Sequence, residues 1–288
     1  MMDLVVAPFV EFEFMRRALV GVVALALGAG PIGVFLMLRR MSLTGDAMAH
    51  AILPGAAVGY LVAGLSLPAL TIGGLAAGVV VAMLSGLVTR FTALKEDASL
   101  AAFYLLSLAL GVTIVSLRGS NVDLLHVLFG TVLALDDGAL VLIAGITSVT
   151  LLTLAAFYRP LVLECVDPVF LRSVSRAGTP VHLVFLGLVV LNLVGGFHAL
   201  GTLLAVGLMM LPAAACRFWS SDITWMTLVA TGIGALSGVA GLLLSFHAEL
   251  PAGPAIILVA GGAYLFSLVF GREGGLLRLF LPGRHLEA

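Results

Sequence analysis

The sequence predicts an all-α protein: a polytopic membrane bundle of eight or nine transmembrane helices, at least one of them interrupted, with one short cytoplasmic helix. Three observations predict this fold. Hydrophobic residues make up 61% of the chain and charged residues 10%, which is too little polar surface for a water-soluble globule of 288 residues. The apolar residues fall in runs of about 20, the length that crosses a bilayer as a helix. The 34 glycines suit helices that pack closely in lipid.

The apolar runs give nine candidate spans, separated by short charged or Pro/Gly-rich breaks. Two places are irregular and leave a count of eight or ten open. The run at 44–64 is broken by Pro54-Gly55, and Gly195-Gly196 indicates a tight turn within 181–216. We interpret residues 1–288 as a single transmembrane domain. The candidate spans are 17–38, 44–64, 68–89, 98–117, 138–158, 181–197, 199–216, 223–246 and 254–270.

The positive charges predict an outside N-terminus and a cytoplasmic C-terminus. With this orientation, eleven of the fourteen Lys and Arg residues fall on the cytoplasmic side, as the positive-inside rule requires. The outer loops collect acidic residues, which favours the approach of cations. The eleven are Arg39, Arg40, Arg90, Lys95, Arg159, Arg172, Arg176, Arg217, Arg272, Arg278 and Arg284.

One cytoplasmic segment, residues 159–180, is too polar to span the membrane and too long for a tight hairpin. Within it, Asp167 followed by Pro168 is typical of the start of a helix, with Asp167 as N-cap, and Gly178 is typical of a helix end. The segment therefore predicts a short helix at the inner membrane surface. From the pattern alone, it can equally be an amphipathic interfacial helix that has no partner.

Asp46 and His50 are the most informative polar residues because they stand inside an apolar run. Their i,i+4 spacing places both side chains on one face of a helix, one turn apart. A charge at the centre of a membrane helix costs about 2.5 to 3.5 kcal/mol on insertion scales, so it normally faces protein or a watery cavity. Something must therefore satisfy Asp46, and His50 is the nearest candidate.

Two interpretations of this pair stay open. In the first, the pair only orients helix packing or lies in the inner headgroup zone, since Arg40 is six residues upstream. In the second, Asp46 supplies an oxygen and His50 a neutral ring nitrogen to a passing divalent cation, a ligand set that suits Zn²⁺, Mn²⁺ or Fe²⁺. Pro54 and Gly55 favour the second, because transport sites are often built from interrupted helices.

Other polar residues give weaker signals. His126, His198, His247 and Glu249 all fall on the outer side and could form a vestibule that relays metal inward, although a lone surface histidine is usually only solvated. Asn192, inside a span, is more typical of an interhelical hydrogen-bond donor than of a ligand. The chain has no GxxxxGK[ST] loop, HExxH or GxSxG motif, so no ATP hydrolysis or familiar hydrolase is predicted on it.

Several ordered blocks of the sequence resemble one family. The stretch RRMSLTGDAMAHAILPG (39–55) is similar to the RRxxLxGDAxSHAxLPG signature of the zinc/manganese/iron permeases of ATP-binding cassette (ABC) importers. Four further blocks resemble the same family along nearly the whole chain. Two departures are Ala49, where many relatives have Ser, and His126, where an aromatic or other residue is usual. The further blocks are KEDASLAAFYLLSLALGVTIVS (95–116), DLLHVLFGTVLAL (123–135), GTLLAVGLMMLPAAACR (201–217) and ELPAGPAIILVAG (249–261).

The resemblance implies a transport subunit of the bacterial inner membrane that is not itself an enzyme. It implies a homodimer in the lipid bilayer, two cytoplasmic ATPase subunits that bind ATP, and a periplasmic or lipid-anchored protein that delivers the metal, with no permanent cofactor and no nucleic acid. Asp46 and His50 match the family's metal site in the translocation pathway. Residues 167–178, DPVFLRSVSRAG, match its coupling helix, which docks into the ATPase. The implied coupling residues are Asp167, Pro168, Leu171, Arg172, Arg176 and Gly178.

Three functional alternatives remain at this point. The first is a permease for a divalent metal ion in an ABC importer, and zinc is favoured over manganese or iron because zinc accepts imidazole readily and needs few ligands. A secondary carrier is the first rival, in which Asp46 and His50 exchange protons rather than bind metal. An ABC permease for a metal chelate such as a siderophore is the second, and it would not need a carboxylate–imidazole pair.

Overall fold

A computed structural model describes residues 2–41, 43–64, 66–92, 96–117, 132–167, 170–171, 173 and 178–277. In these ranges the chain is helical apart from short connections and one 3₁₀ turn (Val132–Ala134), and it contains no β-strand. We number the described α-helices in chain order. They are α1 (Met2–Glu11), α2 (Glu13–Leu38), α3 (Thr44–Ala51), α4 (Leu53–Ala63), α5 (Leu67–Phe91), α6 (Glu96–Leu117), α7 (Asp137–Val166), α8 (Gly178–Leu200), α9 (Thr202–Cys216), α10 (Ile223–Ala248) and α11 (Ala252–Phe270).

The predicted fold class is confirmed. In the described part of the chain, seven helical stretches are long and apolar enough to cross a membrane by length and composition, with α3 and α4 together counting as one stretch. The helices α6 and α9 add two shorter apolar stretches, Ala98–Ile114 and Thr202–Cys216. Each of the nine candidate spans thus corresponds to a described helix or, at 44–64, to a pair of helices. The short helix α1 was not predicted.

The turn expected at Gly195-Gly196 lies elsewhere. The helix α8 continues through both glycines to Leu200, and the chain turns at Gly201, which has a positive φ of 92°. Only glycine adopts such a conformation at low cost. The two earlier glycines serve packing instead: a Cβ at Gly195 would lie 2.6 Å from Ile146 Cδ1, which is closer than side chains pack.

The helices α2 and α8 form the centre of the bundle. Two-thirds of the residues in their apolar stretches are buried (67%), against 22–44% in the other five. Both helices pack against α7, and α2 also packs against α9 and α10. Asn192 of α8 donates a hydrogen bond from Nδ2 to Thr150 Oγ1 of α7 (2.8 Å), which confirms its predicted role between helices.

Ion pairs at both ends hold α2 beside α7. At the first end, Arg17 Nη2 lies 3.1 Å from Asp137 Oδ1 and 2.8 Å from Glu13 Oε1. At the other end, Arg39 Nη2 lies 2.6 Å from Glu164 Oε2. Since each helix contributes its early residue to the first pair and its late residue to the second, α2 and α7 run in the same direction. The end of the bundle that contains Arg39 is called the Arg39 end below.

Candidate metal site and its connection to the Arg39 end

The structure brings Asp46 and His50 together on α3, as their spacing predicts. His50 Nε2 lies 3.8 Å from Asp46 Oδ1, beyond the length of a hydrogen bond. Both side chains therefore keep a free donor atom toward the same space. The arrangement of a carboxylate oxygen beside an imidazole nitrogen could hold a divalent transition metal between them.

Tyr104 and the protein interior fix the imidazole of His50. The ring of Tyr104, on α6, lies against the His50 ring, with centroids 6.1 Å apart and planes tilted by 30°. His50 Nδ1 is buried and has no hydrogen-bond partner among the described residues. Because Nδ1 faces the protein, Nε2 is the nitrogen that the site presents. The contact of Tyr104 with His50 could not be predicted from sequence, because Tyr104 lies in an ordinary apolar run.

The carboxylate of Asp46 is exposed at the surface of the chain. Its side chain is 66% exposed and that of His50 28% exposed, whereas Ala47, Met48 and Ala49 beside them are buried. A carboxylate within an apolar span is costly when it faces lipid. Among the described residues, no three His, Cys, Asp or Glu side chains form a group that could hold a metal. The described part of the chain thus offers two donors at its surface here, which is too few for a tetrahedral or octahedral ion.

The helix break lies one turn after His50. Pro54 is in the first turn of α4, and its ring nitrogen has no hydrogen to donate to the carbonyl of His50. From α6, Ser107 Oγ donates to the carbonyl of Ala51 (2.9 Å), so a neighbouring hydroxyl satisfies one of the carbonyls at the break. Gly55 has another function besides interruption, because its backbone packs directly on Gly73 of α5.

Two of the four predicted vestibule residues, His247 and Glu249, can be located in the structure. Phe12, before α2, contacts Phe246 of α10 with ring centroids 5.4 Å apart, so His247 and the exposed Glu249 lie near the start of α2. The helix α3, in contrast, follows the end of α2. The side chain of His198 and the whole of His126 lie outside the described residues. A vestibule role for these four residues stays a prediction.

The segment at 159–180 differs in part from its prediction. The helix α7 continues through Pro160 to Val166, so the first eight residues of the segment extend a spanning helix. Gly178 does not end a short helix in the described structure; it is the first residue of α8.

Asp167 behaves as the predicted N-cap. Its Oδ1 accepts a hydrogen bond from the backbone N–H of Phe170 (2.8 Å), three residues on, and its carbonyl accepts from Leu171 N–H (3.2 Å). Leu171 is buried at 4% exposure, whereas Phe170 is 49% exposed. Pro168, Arg172 and Arg176 lie outside the described residues. Contact of this connection with an ATPase stays a prediction.

A buried charge cluster, which the sequence did not reveal, joins the two ends of this connection. Arg39, after α2, meets Glu164, three residues before Asp167, and His182, four residues after Gly178. Glu164 lies 125 positions and His182 lies 143 positions after Arg39 along the chain. No local pattern could therefore have shown that they meet. The one available signal was Glu164 itself, an acid in an otherwise apolar stretch near a predicted membrane end.

Comparison with known proteins gives a consistent result. The chain is 30% identical over 278 residues to "Manganese transport system membrane protein MntC" of Halalkalibacterium halodurans, covering 96% of this chain and 94% of that protein. It is 31% identical over 257 residues to "Manganese import system permease protein ScaB" of Streptococcus parasanguinis, covering 89% and 90%.

Solved structures share the fold. A chain of "PsaBC from Streptococcus pneumoniae in complex with Fab" superposes with a TM-score of 0.85 at 27% identity, covering 98% of this chain and all of that one (100%). A second, described as "an inward-facing conformation of a putative metal-chelate type ABC transporter", has a TM-score of 0.68 at 14% identity and shows likeness of fold alone.

The family model supplies the assignment. It matches residues 11–271, which includes every described helix from α2 to α11, the Asp46–His50 pair and the connection between α7 and α8. The resemblance seen in the sequence motifs is thereby confirmed. The chain belongs to the ABC 3 transport family.

Proposed function

We propose that this chain is the membrane permease of an ABC importer for a divalent transition metal, with manganese as the first candidate. The observation that carries this proposal is the Asp46–His50 pair, which offers two metal donors at the protomer surface within an apolar span. The family assignment and the names of the relatives support it. The preference for zinc that the sequence suggested finds no support in those names.

Manganese also suits the chemistry of the pair. Carboxylate, water and imidazole oxygens and nitrogens are ligands that Mn²⁺ accepts, and it takes six of them. Two copies of the chain, related by a twofold axis, would bring two Asp46 and two His50 side chains to one place. Four protein donors and water would complete an octahedron, and the exposed carboxylate would no longer face lipid. We therefore include a homodimer of single-domain permeases, residues 1–288, in the proposal.

The remaining parts of the proposal follow the family resemblance. The chain carries no nucleotide-binding motif of its own, so two partner ATPases would bind ATP and dock on the connection that includes Asp167 and Leu171. A separate binding protein would deliver the ion to the side opposite the Arg39 end. The N-terminus would then be outside and the C-terminus cytoplasmic, in the inner membrane of a bacterium.

Metal uptake into proteoliposomes tests the transport function. The permease, purified with its ATPase, is compared with Asp46→Asn and His50→Gln variants in the uptake of radiolabelled Mn²⁺, and unlabelled Zn²⁺ is added as competitor. We expect each variant to lose at least about tenfold in uptake, since each removes two of the four protein ligands of the shared site. The control is Thr113→Ala, which removes an exposed hydroxyl bonded within α6 and should transport normally.

The outcomes separate the rival functions. Uptake without ATP would indicate a secondary carrier, and undiminished uptake by both variants would refute the metal site. Stronger competition by Zn²⁺ than by Mn²⁺ itself would restore zinc as the substrate. Calorimetry tests the homodimer independently: a site shared by two copies binds about one ion for every two chains, whereas a complete site in each protomer binds one per chain.

A further inference from the structure

The Arg39 end contains a buried ionic cluster that the proposed transport site does not use. Arg39 Nη2 donates to Glu164 Oε2 (2.6 Å), and Nη1 donates to His182 Nδ1 (3.0 Å). The guanidinium also lies over the ring of Phe185, 4.3 Å from its centroid. Only 7% of the Arg39 side chain and 11% of that of Glu164 are exposed.

The geometry requires an arginine at this position. The two Nη atoms diverge from one planar group, so a single side chain reaches Glu164 at the end of α7 and His182 at the start of α8 together. Because guanidinium can only donate, His182 Nδ1 accepts this hydrogen bond. A lysine ammonium could not stack on Phe185 and bridge both acceptors in the same plane.

Burial makes the cluster costly to break. Removal of one partner of a buried pair strongly destabilises the protein, since the other charge is left without compensation in a poorly solvated place. The two acceptors flank the connection between α7 and α8 at both of its ends. Movement of that connection therefore carries Arg39 with it, unless the buried pair breaks.

Arg39 is in turn tied to the helix of the metal pair. After Arg39, Arg40 adopts the left-handed conformation (φ 60°), its N–H bonds to Met37 O (3.1 Å), and Met41 N–H bonds to Leu36 O (2.9 Å). This pattern is a Schellman motif, which closes the end of α2. Thr44 N–H then bonds to Met41 O (3.1 Å), so the first residue of α3 is hydrogen-bonded to the end of this turn, and Asp46 follows seven residues after Arg39.

We propose that Arg39 is the positioning residue that transmits movement of the α7–α8 connection to the Asp46–His50 pair. This inference rests on the proposed function, in which an ATPase moves the connection. When the connection is displaced, Glu164 and His182 pull the guanidinium, and the hydrogen-bonded turn shifts α3. Arg39 touches no metal and acts only through the position of α3.

The test measures metal moved per ATP hydrolysed, a ratio that a loss of folded protein does not change. The complex of permease and ATPase is reconstituted with Arg39→Met, with the double variant Arg39→Met/Glu164→Gln, and with Arg40→Met as the matched control. The double variant leaves no unpaired buried charge, so it keeps the fold where the single variant fails. Arg40 is the adjacent arginine; it takes part in the turn through its backbone N–H, which methionine also supplies, and its side chain is exposed.

We expect the double variant to bind Mn²⁺ with unchanged affinity and to hydrolyse ATP, while the coupling ratio falls about tenfold, within the usual range of coupling between sites. The control should keep the wild-type ratio. An unchanged ratio in the double variant would overturn the inference, as would an equal fall in Arg40→Met or a parallel loss of metal affinity. If the wild-type complex moves no metal at all, the proposed function itself fails, and that result is distinct from each of these.

Discussion

Replacing Gly73 by alanine tests how closely α4 and α5 must approach beside the interrupted helix. Gly73 and Gly55 face each other across these helices. A Cβ added at Gly73 would lie 2.9 Å from the carbonyl carbon of Gly55 and closer still to its oxygen. Ordinary contacts begin near 3.4 Å, so the two backbones would have to separate by at least 0.5 Å. Both atoms belong to backbone, and no side-chain rotation can relieve the clash.

The expected cost follows from this separation. Overpacking of this kind costs about 1 to 3 kcal/mol. Against it stands a gain of about 0.5 to 1 kcal/mol, because alanine loses less backbone entropy than glycine in a helix. We therefore expect Gly73→Ala to destabilise the protein by a net of roughly 1 kcal/mol, the centre of a range from about 0 to 2.5 kcal/mol. At about 2 to 4 °C per kcal/mol for a domain of this order of size, the thermal midpoint falls by a few degrees.

The matched control lies on the same helix. Gly86 of α5 has no described atom within 4 Å of an added Cβ, so Gly86→Ala should leave the midpoint unchanged or raise it. Both variants are purified in the same detergent and followed by thermal unfolding at one scan rate. A Gly73→Ala midpoint equal to or above that of Gly86→Ala would refute the argument that backbone contact fixes the α4–α5 distance.

Three further perturbations address the site and the turn before it. Pro54→Ala supplies an N–H for the carbonyl of His50 and makes α3–α4 continuous. We expect the Mn²⁺ affinity measured by calorimetry to stay the same while uptake slows several-fold. Unchanged uptake would show that the break has no role in transport. Tyr104→Ala should weaken Mn²⁺ binding by roughly two- to tenfold, the value of one aromatic contact, whereas Tyr104→Phe should bind normally. Equal binding by both variants would contradict the positioning of His50 by the Tyr104 ring. Arg40→Gly removes the strain of a left-handed backbone at a residue with a side chain. It should therefore raise the free energy of unfolding by about 1 kcal/mol relative to Arg40→Ala. Thermal unfolding compares the two variants, and a more stable alanine variant would contradict this strain.

Sequence reasoning located the spans because each depends on local composition. A run of about 20 apolar residues must be helical in lipid, since no water satisfies the backbone. Boundaries were less certain. The polarity of Arg159 and Glu164 indicated that a span had ended, whereas α7 continues to Val166 because Arg39 neutralises Glu164 from another helix. Long-range pairing thus changed a local prediction.

The metal pair could be predicted from local sequence, whereas the charge cluster depends on long-range packing. Asp46 and His50 lie one helical turn apart, so their meeting could be predicted from spacing alone. Arg39 and Glu164 come together only when α2 and α7 pack side by side, which spacing cannot show. The exposure of Asp46 also depends on tertiary packing, because α3 turns one face toward α6 and α8 and leaves the other uncovered.

The Arg39–Glu164 pair and the Asp46–His50 pair differ in burial and in direct contact between their partners. Arg39 and Glu164 are largely buried and form a direct ion pair of 2.6 Å, so their charges compensate each other in every conformation that keeps α2, α7 and α8 together. Asp46 and His50 are partly open and lie 3.8 Å apart without a hydrogen bond between them. A carboxylate that lacks its full set of partners is costly in lipid, and in the proposed homodimer the cost would fall when a cation binds between the two copies. Since a ligand can shift an equilibrium only by its differential affinity, the cation would favour whichever arrangement of the proposed dimer completes its coordination. The fixed cluster would then relay work from the ATPase to a site that is stable only when occupied.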